Sequence, residues 1–206
     1  VMGFTNKLLR RFAKKIFSAF PLEGLCEGDR KKIVQVGNPI RKSIVRANNK
    51  NKNDNKTIAK DESDQGAKPF TVFIFGGSQG ARAINQTVVS AINLLNSIKG
   101  LRIIHQTGKL DFDMVKTAYG EAVFDHQVSD YIYDIENIYA QSDIVICRAG
   151  ASTIFELIAS HSPSILVPLP SAANDHQRYN AMFLSRAGCA ELIEQKDFSP
   201  QKFYER

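Results

Sequence analysis

Three short segments and one isolated arginine carry residue types suited to a phosphorylated ligand. In the first, Gly76-Gly77-Ser78-Gln79-Gly80 joins the apolar run Phe70–Phe75 to Ala81, Ile84, Val88, Ile92 and Leu95, which recur at spacings of three and four. That pattern is strand, glycine turn, helix. A helix start collects unpaired backbone N–H groups and roughly +0.5 of a charge at one point, where an anion can sit. Glycine equally suits a strand-to-helix turn that binds nothing, so the turn alone leaves a purely structural role open. It does exclude two familiar designs. No Lys follows Gly80, as a P-loop requires, and a dinucleotide fingerprint ending at Gly80 would need glycine where Phe75 stands.

The second segment is Arg148-Ala149-Gly150-Ala151-Ser152-Thr153-Ile154-Phe155-Glu156, again an apolar run that ends in a glycine turn before a helix. It offers the hydroxyls of Ser152 and Thr153 and the carboxylate of Glu156. Thr153-x-x-Glu156 fits a capping box; it equally fits a carboxylate accepting both hydrogens of a ribose diol, with charge-assisted bonds of about 1.5 to 3 kcal/mol each. The third segment runs from Pro168-Leu169-Pro170 to Asn174-Asp175-His176-Gln177, where Asn174 or Asp175 is expected to cap the next helix. His176 alone makes no catalytic case, and neither it nor His105, His126 and His161 shows metal-ligand spacing. Arg41, just after Gly37-Asn38-Pro39-Ile40, reads by itself as a surface residue on a linker.

The elements that must position these groups alternate. Strands are expected at 32–36, 70–75, 101–105, 122–124, 144–147, 164–167 and 190–193, with helices near 111–118, 135–141, 153–160 and 177–186. Such alternation predicts an α/β fold, a doubly wound parallel sheet with ligands outside the carboxyl ends of its strands. Thr5–Phe20 reads as one amphipathic helix, its basic face either solvated beside a neighbouring domain or set against anionic lipid. Ala47–Lys68 is too polar to bury anything and reads as a mobile loop or linker.

With 206 residues, 43% apolar and 23% charged, the chain can hold one good core, or one domain and part of another. No apolar run approaches the roughly 20 residues of a membrane span, and the start lacks the signal-peptide pattern. The three cysteines are widely spaced and read as buried thiols of a reducing compartment, the cytoplasm. Of the net charge of +6, five units come from Lys7, Arg10, Arg11, Lys14 and Lys15. The basic character is therefore local, which argues against nucleic acid as a partner.

Taken together and in order, GNPIR, FGGSQGARAIN, HQTGK, YIYDI, CRAGASTIFEL and NDHQRYNA resemble the MurG family. These are bacterial transferases that move N-acetylglucosamine from UDP-N-acetylglucosamine onto the lipid-linked muramyl-pentapeptide of peptidoglycan synthesis. The resemblance covers nearly the whole chain from about Thr5. It implies a GT-B glycosyltransferase, two Rossmann-like domains facing a cleft, working peripherally on the cytoplasmic face of the inner membrane in cell wall biogenesis, cell shape and cell division.

By the same resemblance, Arg41 and the loop of Ser78 and Gln79 lie near the donor diphosphate, and the backbone of Ile132 reads the uracil. Ala151, Ser152 and Thr153 line the nucleotide, Glu156 holds the ribose, and Gln177 contacts the sugar. No cofactor or metal is implied. Residues 1–40 correspond to the tail of the amino-terminal acceptor domain and 41–206 to a donor domain truncated at its carboxyl end. The acceptor site and the catalytic base belong to sequence before Val1, so this chain is expected to hold no catalytic residue and to require an amino-terminal half, in cis or as a separate partner. Two alternatives stay open: a truncated, non-catalytic nucleotide-sugar binding fragment, and a related UDP-sugar glycolipid transferase.

Overall fold

The computed structural model describes residues 4–22, 26–47 and 68–206. Most of the polar stretch Ala47–Lys68, from 48 to 67, lies outside them. Among the described residues, six parallel strands form the main sheet: β3 (Phe70–Phe75), β4 (Leu101–Gln106), β5 (Asp125–Ser129), β6 (Ile144–Cys147), β7 (Ser164–Leu166) and β8 (Ala190–Leu192). Their order is β5-β4-β3-β6-β7-β8. The chain thus winds outward from β3 in one direction, then returns to β6 on its other side and winds away. The crevice between the loops after β3 and β6 is the switch point at which such sheets bind ligands.

The sheet is buried on both faces because β3 carries large apolar side chains on each. Val72 and Ile74 join one core, with Ile84, Val88 and Ile92 of α4 (Arg82–Leu95), Val115 of α5 (Phe112–Ala118) and Phe203 of α9 (Pro200–Tyr204). Phe73 and Phe75 join the other. There they meet Ile138 and Tyr139 of α6 (Ile135–Gln141), Ile154 and Leu157 of α7 (Ala151–Ser160), and Ala181 and Leu184 of α8 (His176–Arg186). Ile44, in helical residues 42–47 (α3), enters this second core at 1% exposure.

Two expected elements differ. Thr5–Phe20 is not one helix: α1 covers Phe4–Leu9, and Ile16–Ser18 forms β1, which pairs in parallel with β2 (Ile33–Gln35). Ile16, Ser18 and Phe20 also fit strand alternation, and pairing seats Phe20 against the rings of Phe155 and Phe183, at centroid distances of 5.1 and 5.4 Å. Arg10 holds Asp29 at 2.9 Å, tying the bend to α2 (Glu27–Arg30). The strand expected at 122–124 begins instead at Asp125, because β5 is a polar edge strand and Phe124 packs against Tyr119. Of the cysteines only Cys147 is buried; Cys26 and Cys189 are exposed.

A buried polar cluster fastens the switch-point loops from below. His105 Nε2 lies 3.0 Å from Asn85 Oδ1, and Asn85 Nδ2 donates to Thr107 O at 2.9 Å and Asp111 Oδ2 at 2.8 Å. Because Asn85 Oδ1 only accepts, Nε2 carries the imidazole proton and Nδ1 accepts from Tyr119 Oη at 3.2 Å. Burial pushes the His105 pKa down to about 3, so the ring is neutral. Asn85→Ala would strand three buried groups and is expected to cost about 3 kcal/mol of stability, measured by urea unfolding. A loss below about 1 kcal/mol would show that the cluster is not the fastening inferred.

Candidate functional site

The loop after β3 is built by close backbone approach. Gly80 N–H donates to Gly77 O at 3.0 Å, closing a turn whose exposed tip is Ser78-Gln79. A Cβ on Gly80, whose φ is +77°, would stand 2.0 Å from Thr107 O; one on Gly108, at the same φ, would stand 2.5 Å from Gln79 O. The two loops therefore interlock, and only glycine permits it. Helix α4 then begins at Arg82, with Ala81 at its N-cap and no side chain capping it.

At this edge Arg41, Gly77, Ser78, Gln106, Tyr131, Ile132, Thr153 and Glu156 line a cleft of about 160 Å³. Five of the nine site residues expected from the sequence, Arg41, Ser78, Ile132, Thr153 and Glu156, meet here. The other four stand apart. Gln79 is exposed with its carbonyl against Gly108, and Ser152 Oγ lies 3.4 Å from Asn38 Nδ2. Ala151 lines instead a groove of about 1100 Å³ between residues 6–22 and α8. Gln177 Oε1 accepts from Leu169 N–H at 3.0 Å, so that amide staples the proline loop to α8.

The capping-box reading of Thr153 and Glu156 is overturned. Helix α7 starts at Ala151 with Gly150 as N-cap, which puts Thr153 third and Glu156 sixth along it. One turn further in, Glu156 cannot reach the N-cap N–H and faces Arg41 and Tyr139 instead. Tyr139 Oη donates to Glu156 Oε2 at 3.3 Å. Burial raises the Glu156 pKa, opposed by the positive charge of Arg41 and by the Tyr139 hydrogen bond. The expected side-chain cap of α8 is also missing: Asp175 is its N-cap residue at φ 53° but makes no capping bond.

Three residues that the motif reading passed over hold the site together. Gln106, at the end of β4, donates from Nε2 to Gly77 O at 3.1 Å and accepts from Ile132 N–H at 2.9 Å. Arg148 donates to the carbonyls of Val167 and Pro168, both at 3.0 Å, and to Gln195 Oε1 at 2.7 Å. Its charge is spent on fastening loops. Asn180 Nδ2 supports the turn before α7 through Ala149 O at 3.0 Å. Each stands inside a motif, but a polar residue next to a ligand-binding one carries no sequence mark of which it supports. Among the described residues no group of three His, Cys, Asp or Glu side chains could hold a metal ion, and no helix is long and apolar enough to cross a membrane.

The sequence pattern of the family described as Glycosyltransferase family 28 C-terminal domain matches residues 71–206. A UDP-N-acetylglucosamine--N-acetylmuramyl-(pentapeptide) pyrophosphoryl-undecaprenol N-acetylglucosamine transferase of Myxococcus xanthus is 38% identical over 97% of this chain and 49% of its own length. Its namesake in Thiobacillus denitrificans is 37% identical over 100% of the chain and 55% of its own length. The chain thus spans about half the length of the curated relatives it matches. The crystal structure of Acinetobacter baumannii MurG superposes with a TM-score of 0.74 at 30% identity, covering 100% of this chain and 54% of that one.

Because the folded pKa of Glu156 is raised, the stability linked to its proton is present below the unfolded value of about 4.3 and lost as pH rises through the folded one. Glu156→Gln, which mimics the protonated form, should therefore melt at the same or a higher temperature than the native chain at pH 7. The two curves should converge below pH 4. A clearly lower melting temperature for the variant at pH 7 would contradict this.

Proposed function

The chain belongs to glycosyltransferase family 28, carrying its C-terminal domain at 71–206, and from that premise we propose that it is the donor-binding half of a UDP-N-acetylglucosamine-dependent transferase acting on a lipid-linked muramyl-pentapeptide. The observation that carries this is the convergence of Arg41, Ser78, Ile132, Thr153 and Glu156 on one cleft at the switch point. In this reading the diphosphate sits against the Gly77–Ser78 turn and Arg41, uracil lies against the backbone at Ile132, and the Glu156 carboxylate accepts from the ribose hydroxyls. Ala151, Ser152 and Thr153 line the nucleotide, and Gln177 contacts the sugar. Residues 1–40 are then the tail of the acceptor domain and 41–206 the donor domain.

The acceptor hydroxyl attacks the anomeric carbon from the face opposite the diphosphate, so the carbon–oxygen bond to phosphate breaks as the new glycosidic bond forms, with inversion. Negative charge develops on the departing UDP, where the N–H groups of the β3 turn and Arg41 oppose it. The proton of the acceptor passes to a base outside the cleft residues described here, supplied by an amino-terminal half. Holding donor and acceptor together supplies much of the rate, so this half alone should bind without turning over. The products would serve peptidoglycan synthesis and, through it, cell shape and division.

Peripheral binding to the cytoplasmic face of the inner membrane is part of the same proposal. Lys7, Arg11, Lys14 and Lys15 are exposed beside Leu8, Leu9 and Phe12, the last at 81% exposure. Each basic residue adds about 1 kcal/mol near an anionic surface, enough for a loose, salt-sensitive contact. The chain should sediment with vesicles containing phosphatidylglycerol and not with purely zwitterionic ones, and should be released by 0.5 M salt (about a 4 Å Debye length).

Isothermal titration with UDP-N-acetylglucosamine should give saturable binding, weakened on the order of 10- to 100-fold by Glu156→Ala, the worth of one or two charge-assisted bonds. Arg41→Ala should weaken UDP but leave uridine unchanged. Absence of binding by a folded sample would refute the donor assignment. Transfer by the isolated chain would refute the need for a second half.

A further inference from the structure

We infer that Gln106 is the positioning residue that sets the distance between the base-reading loop and the diphosphate-facing turn. The inference rests on the donor site proposed above and adds a residue to it. Gln106 is 3% exposed, and its backbone is in the parallel ladder, in register with Phe75 on one side and Ser129 on the other. Its side chain is therefore not needed to make the strand. An apolar residue would fill the same space without the desolvation cost that a primary amide carries unless both its ends are bonded.

Both ends are bonded, and to opposite ends of the cleft. Gly77 O can only accept and Ile132 N–H can only donate, so the amide has one permitted orientation, nitrogen toward Gly77 and oxygen toward Ile132. Gly77 O also takes the Gly80 N–H, so the amide grips the turn at the atom that closes it. At its other end the bond fixes the peptide plane between Tyr131 and Ile132, both of which line the cleft. A single side chain thus spans the two loops between which a nucleoside diphosphate must stretch. If the strut is cut, each loop can relax independently, and recognition of base and of phosphate should degrade together.

Two affinity ratios, measured by titration of the full chain, separate the two ends: UDP over CDP for the base, and UDP over UMP for the second phosphate. Gln106→Met, similar in size but unable to bond at either end, should lower both ratios roughly tenfold. Gln106→Glu, read at the alkaline end of the pH range where its carboxyl is ionised, keeps an acceptor for Ile132 N–H and sets a carboxylate oxygen against Gly77 O. It should collapse the UDP/UMP ratio and leave UDP/CDP within about twofold. Native ratios in a folded Gln106→Met chain would overturn the inference, and so would equal loss of both ratios in Gln106→Glu. If Gln106→Met fails to fold, the separation of ratios in Gln106→Glu decides alone. Failure of the native chain to bind UDP would instead refute the donor site itself, and this inference with it.

Discussion

The contact on which the site depends is one of backbone with backbone: the turn after β3 and the turn after β4 touch at Gly80 and Gly108, closer than any side chain would permit. Both glycines sit at positive φ, and each would drive a Cβ into the other loop's main chain. The consequence is a turn with almost no freedom to open. The N–H groups it presents are therefore fixed before any ligand arrives, which is the condition under which backbone dipoles stabilise charge without reorganising.

Around that contact the polar residues divide by depth. His105, Asn85, Asp111 and Tyr119 lie under the loops, where burial keeps the imidazole neutral and every bond has one possible direction. Arg148 and Asn180 do the same for the turn before α7. Arg41 and Glu156 lie nearer solvent, at the cleft. Glu156 bears the cost: its carboxylate is held in a place that favours the protonated form. Perturbed carboxyl groups of this kind are found more often at functional sites than elsewhere in a fold.

Much of this was legible in the sequence where the pattern is local. The run Phe70–Phe75, the glycine turn and the periodic residues of α4 each announce themselves within a short window, and the alternation of strands and helices implied the sheet. What misled was composition without context. The apolar residues of Thr5–Phe20 suit a helix, but a strand partner seventeen residues later makes an alternative that no local window contains. The edge strand β5 carries a polar sequence because it has little to bury, so the apolar 122–124 attracted the assignment instead. Thr153 and Glu156 have capping-box spacing, yet helix α7 begins earlier, at the first residue after Gly150. Support residues such as Gln106 were invisible for a different reason, since their roles exist only between segments brought together by the fold.

The place of Ile44 redraws the unit itself. The match to the family's C-terminal domain begins at residue 71, but Ile44 lies in the same core cluster as Phe73 and Leu157, and Arg41, immediately before the helix that carries Ile44, reaches the cleft. The boundary of the domain pattern and the boundary of the folded body thus differ here. The segment 41–47 is a keystone of the body: pulled away, it would leave a hole in one core and take Arg41 from the cleft. Any movement of this body must then carry Arg41 and Ile44 with it.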